Sequence, residues 1–143
     1  MKYRIELVDS QEEDIIVYAK QDSTMLSKIE AVLRESDDAV FGYAGDNIVK
    51  LDIKDVYCFF SESGKVYALT TDGKLQIKDR LYRLEDSFSE GFVKINQSCL
   101  VSVEKIKRFD VSIGGSLVVM LENGYKDYVS RRQVKAVKER IGF

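Results

Sequence analysis

Two short polar clusters interrupt otherwise apolar stretches of this sequence. KINQS, Lys94 to Ser98, lies between the apolar runs Phe92-Val93 and Cys99-Leu100-Val101, and SRRQ, Ser130 to Gln133, opens a stretch with helical apolar spacing. The first cluster offers an ammonium, two carboxamides and a hydroxyl, which make directed hydrogen bonds rather than a core. The second puts two guanidinia in what reads as the first turn of a helix, where the macrodipole disfavours positive charge by roughly 0.3 to 1 kcal/mol per group. An anion from outside would offset this, because helix-start amides and guanidinia together form a phosphate-binding site.

Other chemistries are excluded by what is missing. The chain has no histidine, so histidine general acid/base pairs, Ser-His-Asp triads and His-containing zinc sites are impossible. Cys58 and Cys99 each sit in a strand-like apolar run and read as buried small hydrophobes. Glu12, Glu13 and Asp14 read as solvated turn residues, and Gly114-Gly115 lacks the Lys-Ser/Thr of a phosphate loop. No enzyme, no cofactor, no metal and no small-molecule substrate are therefore expected. At 143 residues and 45% hydrophobic, the chain suits one compact soluble domain with room for a small appended unit. Without a signal segment or an apolar run near the roughly 20 residues of a membrane span, a cytoplasmic location is expected. The net charge of −2 is split: residues 1–47 carry five basic against eleven acidic groups, a net of −6, and the remainder seventeen against thirteen, a net of +4. A sign split of this kind points toward nucleic acid.

Strands must hold both clusters. Tyr3, Ile5 and Leu7 alternate with polar residues, Ile15 to Tyr18 reads as a second strand, and Met25, Leu26, Ile29, Val32 and Leu33 recur at helical spacing after Asp22 or Ser23 as N-cap. The expected start is thus a small β-β-α unit. From Val40 a meander follows, with strands at Ile48 to Leu51, Val56 to Phe60, Val66 to Thr70 and Leu75 to Lys78, and a type I′ turn at Asp72-Gly73. Leu81, Leu84 and Phe88 mark a short helix ending before Gly91. Three more strands, Arg108 to Ile113, Ser116 to Leu121 and Tyr125 to Val129, lead to Ser130, which with Gln133 matches a capping box. Val134, Val137 and Ile141 form the apolar stripe of the last helix, and Gly142 its stop.

In this order and spacing the segments DIKDVYCFFSESGKVYALTTDGKLQIKDRLYRLEDSF, GFVKINQSCLVSVEKIKRF and LVVMLENGYKDYVSRRQVKAVKERIG resemble the LytTR DNA-binding domain of bacterial transcription regulators, over about Ile48 to Gly142. The resemblance implies a mainly β (α+β) fold of elongated antiparallel sheets with short helices. It divides the chain into a β-β-α extension, residues 1–47, and a DNA-binding domain, residues 48–143. The extension is too short for a phosphoacceptor receiver, so a stand-alone regulator is expected. Loops at one edge of the family fold enter the major groove. The resemblance makes Lys94, Asn96, Gln97 and Ser98 one such loop, Ser130, Arg131 and Arg132 a second, and the turn carrying Ser63 and Lys65 a further contact. Carboxamides suit the adenine edge, arginine the two acceptors of guanine, and Lys94 and Ser98 suit phosphate. The chain departs from many relatives at Asn96, where they carry histidine, at Ser102, where they carry asparagine, and near Ser63, where some carry histidine; Glu62 in that turn would repel a phosphate.

The implied function is a sequence-specific regulator that binds double-stranded DNA at repeated sites as a homodimer. The alternative is a protein-interaction module on the same fold, which would not be retained on heparin. The resemblance also implies a membrane-bound antagonist protein, and leaves open whether the acidic extension contacts it or a second copy.

Overall fold

The computed structural model describes residues 24–37 and 40–143. The strands expected at Tyr3 to Leu7 and Ile15 to Tyr18, and the N-cap at Asp22 or Ser23, lie outside the described residues. Helix α1, Thr24–Asp37, matches the expected helical spacing. The strands that follow are β1 (Val40–Ala44), β2 (Asn47–Leu51), β3 (Val56–Glu62), β4 (Lys65–Thr70) and β5 (Gly73–Ile77); then come α2 (Leu81–Ser87), β6 (Phe92–Asn96), β7 (Cys99–Ser102), β8 (Ile106–Val111), β9 (Leu117–Leu121), β10 (Lys126–Val129) and α3 (Arg131–Ile141). Five strands separate α2 from α3, so these two helices form no helix-turn-helix. The mainly β architecture with short helices agrees with the sequence.

Among the described residues a seven-stranded antiparallel sheet has the order β2-β1-β5-β4-β3-β7-β6, and a second sheet the order β10-β9-β8. Alternation along the strands sends side chains to two cores. On one face Cys58, Val93, Ile95, Cys99 and Val101 meet Leu117, Val119 and Leu121 of β9, Val129 of β10 and Val137 of α3. On the other, Val56, Phe59, Ala68, Ile77, Phe92 and Leu100 pack on Leu84 and Phe88, with the rings of Phe59 and Phe92 5.2 Å apart. Among the described residues the second sheet and α3 thus cover β3, β7 and β6 and reach Leu69 of β4, and α3 lies along the last strand, β6.

The expected division between residues 47 and 48 falls within the β1–β2 hairpin, which pairs Val40 with Leu51 and Ala44 with Asn47. Strand β1 is also bonded to β5 through the Gly42–Ile77 and Tyr43–Gln76 pairs. A Cβ on Gly42 would stand 2.8 Å from Leu75 Cδ1, a separation that real Cβ atoms do not tolerate, so the close β1–β5 approach needs glycine here. The sheet therefore begins at Val40. One expectation needs correction, the β4–β5 turn. Thr70 pairs with Gly73, and of the turn residues only Gly73 has positive φ, 106°. The turn runs through Thr71 and Asp72, with the Thr70 hydroxyl accepting from Asp72 N–H at 3.1 Å, and is not type I′. A two-residue turn of that type does occur between β3 and β4, at Ser63 (φ 52°) and Gly64 (φ 75°).

Candidate nucleic-acid interface

Three chain segments meet at one edge of the fold. The Ser130 N–H donates to the Ile95 carbonyl at 2.8 Å, which fixes the start of α3 beside the end of β6. The Ser61 N–H donates to the Ser98 carbonyl, also at 2.8 Å, which ties the end of β3 to the β6–β7 turn. Asn96 closes the arrangement: its Nδ2 donates to the Tyr128 carbonyl on β10 at 2.9 Å, and its Oδ1 accepts from Ser98 N–H at 2.8 Å. The β3–β4 turn, the β6–β7 turn and the β10–α3 junction are thereby joined by backbone-directed bonds.

Asn96 is 2% exposed, and both ends of its amide are used internally. In this structure it presents nothing to a base, contrary to the expectation for it. Burial of a polar side chain is costly unless it is hydrogen-bonded, and here every group finds a partner. Gln97 and Ser98, next in the chain, are exposed at the turn. Lys94 pairs across the sheet with Leu100, which belongs to the α2-side core, so its side chain leaves on that face and not on the face that α3 covers. The structure does not gather Lys94 with the arginines.

Arg131 and Arg132 are exposed, the first turn of α3 contains no acidic residue, and neither guanidinium has an ion pair among the described residues. Ser130 occupies the N-cap position, but its hydroxyl makes no capping bond; only its carbonyl accepts, from Gln133 and Val134 N–H. The capping-box reading is correct in place and wrong in bond. Without a side-chain cap, the Arg131 and Arg132 N–H groups have no intrahelical acceptor and stand beside two guanidinia. In the β3–β4 turn Ser63 and Lys65 are exposed, and Glu62 is bridged by Lys74 at 3.4 Å, so the acid that would repel a phosphate is neutralised locally.

Several participants were not visible in the sequence. Tyr128 supplies the carbonyl that holds Asn96 while its own side chain is 57% exposed at the same corner, and Ser61 and Lys74 act as described. One signal could have flagged Asn96: an asparagine two residues before a turn amide is the Asx pattern, in which the side chain bonds its own backbone.

Beneath the corner, Cys58 and Cys99 are free and fully buried. A hydrogen bond with Cys58, then burial, pushes the Cys99 thiol far above its ordinary value, and Asp127 adds to the effect. Burial, then Cys99 and Asp127, raises the Tyr125 phenol, which donates to Asp127 Oδ2 at 3.3 Å. A thiol held protonated in this way is a poor nucleophile, in keeping with its reading as a core residue. Among the described residues no three His, Cys, Asp or Glu cluster as metal ligands, and no helix is long and apolar enough to cross a membrane.

The family model of the LytTr DNA-binding domain matches residues 46–142. An uncharacterized HTH-type transcriptional regulator of Staphylococcus aureus strain NCTC 8325 is 29% identical over 107 residues, covering 75% of this chain and 73% of that protein. Its counterpart in the bovine strain RF122 / ET3-1 is 30% identical over the same length, with the same coverage. Among solved structures, the LytTr DNA-binding domain of a protein described as a methyl-accepting/DNA response regulator from Bacillus cereus superposes with a TM-score of 0.69 at 18% identity, covering 74% of this chain and 99% of that one.

Proposed function

Because the chain belongs to the LytTr DNA-binding domain family, we propose that this DNA-binding transcriptional regulator reads the major groove of double-stranded DNA with the corner where the Gln97-Ser98 turn meets the start of α3. The observation that carries the reading is the bracing of that corner. Two exposed polar segments far apart in sequence are held together by Asn96 and by the Ser130 N–H, and two unpaired guanidinia project beside them. Gln97 and Arg132 read base edges; Ser98, Ser130, Arg131, Ser63 and Lys65 contact phosphate and sugar. Asn96 positions the turn. Catalysis has no part in this reading, since the chain lacks histidine and the family is one of DNA binders.

The protein acts on repeated sites as a homodimer, with the acidic N-terminal unit as the contact between copies. Met25 and Ile29, one helical turn apart on α1, are 50% and 36% exposed and offer an apolar strip for it. The membrane-bound antagonist would compete for the same unit.

Gel-shift titrations against a duplex selected from a random library test the reading. Six to ten phosphate contacts should weaken binding about 10³ to 10⁵-fold between roughly 50 and 200 mM salt. Arg132→Ala should cost about 1 to 3 kcal/mol and relax preference at one base pair. A flat salt response, with no retention on heparin, would leave the protein-interaction module as the better account.

A further inference from the structure

On the face of the seven-stranded sheet that carries the second sheet, the core takes in Leu69 of β4 but no residue of β5, β1 or β2, so this part of the face is uncovered among the described residues. Cross-strand partners share a face. Tyr67 therefore lies beside Phe60 and Gln76, Gln76 beside Tyr43, and Tyr43 beside Ile48, giving one row across the sheet. The next row lies nearer the β3–β4 turn. Lys65 is paired there with Glu62, and Phe41 with Lys50. Val66 and Gly42 both stand opposite Ile77, so Lys78, the residue after Ile77, falls at the level of Lys65 and Phe41 and on the face opposite the Ile77 core. Its ammonium sits 4.3 Å over the Tyr43 ring, on the open face. Lys65 on β4, Lys78 just past the end of β5 and Lys50 on β2 thus form a row, level with the turn that joins the reading corner.

The three lysines are exposed and have no ion pair among the described residues. Among the described residues the nearby acids are engaged: Glu62 is bridged by Lys74, Asp79 by Arg83, and Asp52 accepts from the Lys54 N–H. We propose that Lys65, Lys78 and Lys50 form a sequence-independent phosphate clamp for duplex DNA flanking the site read at the corner, a proposal that rests on the DNA reading above. Three strand spacings separate β4 from β2, about 14 Å, and that length of duplex axis carries roughly eight phosphate charges. Lysine, a mobile point charge, finds a partner among them without a fixed register. The rings beneath favour phosphate over stacked bases, because Lys78 covers Tyr43 and Lys74 covers Tyr67 at 4.2 Å.

The test uses the full chain and two duplexes carrying one selected site, the first trimmed to that site and the second extended by arbitrary flanks. Lys50→Ala/Lys78→Ala should match wild type on the trimmed duplex. On the extended duplex its affinity should fall about 10-fold less than that of wild type between roughly 50 and 200 mM salt, about one unit of salt slope per lysine. Lys50→Arg/Lys78→Arg should retain the wild-type slope, and thermal melts of all variants should coincide. An unchanged slope on the extended duplex, or an equal loss on both duplexes, overturns the clamp alone. Tighter binding of a single-stranded oligonucleotide, lost with Phe41→Ala or Tyr43→Ala, overturns it in favour of base stacking. If wild type selects no duplex at all, the DNA reading fails and the clamp falls with it.

Discussion

Asn96 and Lys78 are polar residues at strand ends near the same edge, and the fold uses them in opposite ways. At the β6–β10 corner a carboxamide is buried and both its ends are spent on backbone groups. On the β5–β1–β2 half-sheet an ammonium is left exposed over a ring, without an ion pair among the described residues. Under the proposed reading, base readout demands placement within a fraction of an ångström, which directional bonds at the corner would supply. Phosphate attraction needs charge more than position, and the half-sheet leaves its charges free.

The largest expected effect breaks the first half of that comparison. Asn96→Ala strips partners from the Tyr128 carbonyl and the Ser98 N–H; each costs about 1 to 3 kcal/mol if left unmet in a buried setting, and because water can reach the exposed Ser98 a loss of about 2 to 4 kcal/mol is expected. DNA binding should weaken equally for every sequence, because the turn is no longer held. Gln97→Ala, one residue on, should leave stability within about 0.5 kcal/mol and cost about 1 to 3 kcal/mol of binding at one base pair. Thermal melts beside a series of sites with single base changes measure both. If Asn96→Ala melts like wild type and relaxes base preference, Asn96 leaves its pocket to read a base and the contrast collapses.

That pair also shows how far the sequence could be read. The polar cluster Lys94 to Ser98, the order of strands from Val56 onward and the helix start at Ser130 follow from alternation, turn residues and spacing. Which of two adjacent amides faces outward depends on a carbonyl 32 residues away, and no local pattern brings Tyr128 to Asn96. Similarly, SRRQ marks the N-cap position, while the bond the serine makes depends on β6, whose Ile95 carbonyl takes its N–H. The lysine row was illegible for a topological reason. Lys50, Lys65 and Lys78 become neighbours only because β1 and β2 join the sheet beyond β5, an order that chain sequence does not follow.

A smaller effect sharpens the picture of the braced side. Cys99 and Tyr125 are both held protonated in the folded protein, with raised values. In the unfolded chain a thiol ionises near 8.5 and a phenol near 10. Above about pH 8.5 the unfolded state therefore binds fewer protons than the folded one, and stability must fall as pH rises. The stabilisation is complete below that pH and declines by up to about 1.4 kcal/mol per pH unit from Cys99, with Tyr125 adding to the slope above about pH 10. Denaturant melts between pH 7 and 10 should show this decline. Cys99→Ala will lower stability at every pH through lost packing, but its slope between pH 8.5 and 10 should be shallower than that of wild type. Parallel slopes would mean that Cys99 is not the group responsible.

The smallest expected effect concerns Ser130. A serine at an N-cap ordinarily contributes about 1 kcal/mol through its side-chain oxygen. Here the hydroxyl makes no such bond, and the contacts that fix the helix start are backbone ones: the carbonyl accepts from Gln133 and Val134, and the N–H donates to Ile95. Alanine keeps all of them. Ser130→Ala should therefore change stability by less than about 0.5 kcal/mol, while DNA binding weakens slightly and equally across sequences as one phosphate donor is lost. Ser130→Pro is the informative opposite, since it removes the N–H that holds α3 to β6 and should lower both stability and binding. Melts of the two variants, free of DNA, separate the cases. A loss near 1 kcal/mol for Ser130→Ala would mean that the hydroxyl does cap α3 in solution, so that the first turn of the helix is already satisfied by its own side chain and offers an outside phosphate fewer amides than the corner geometry implies.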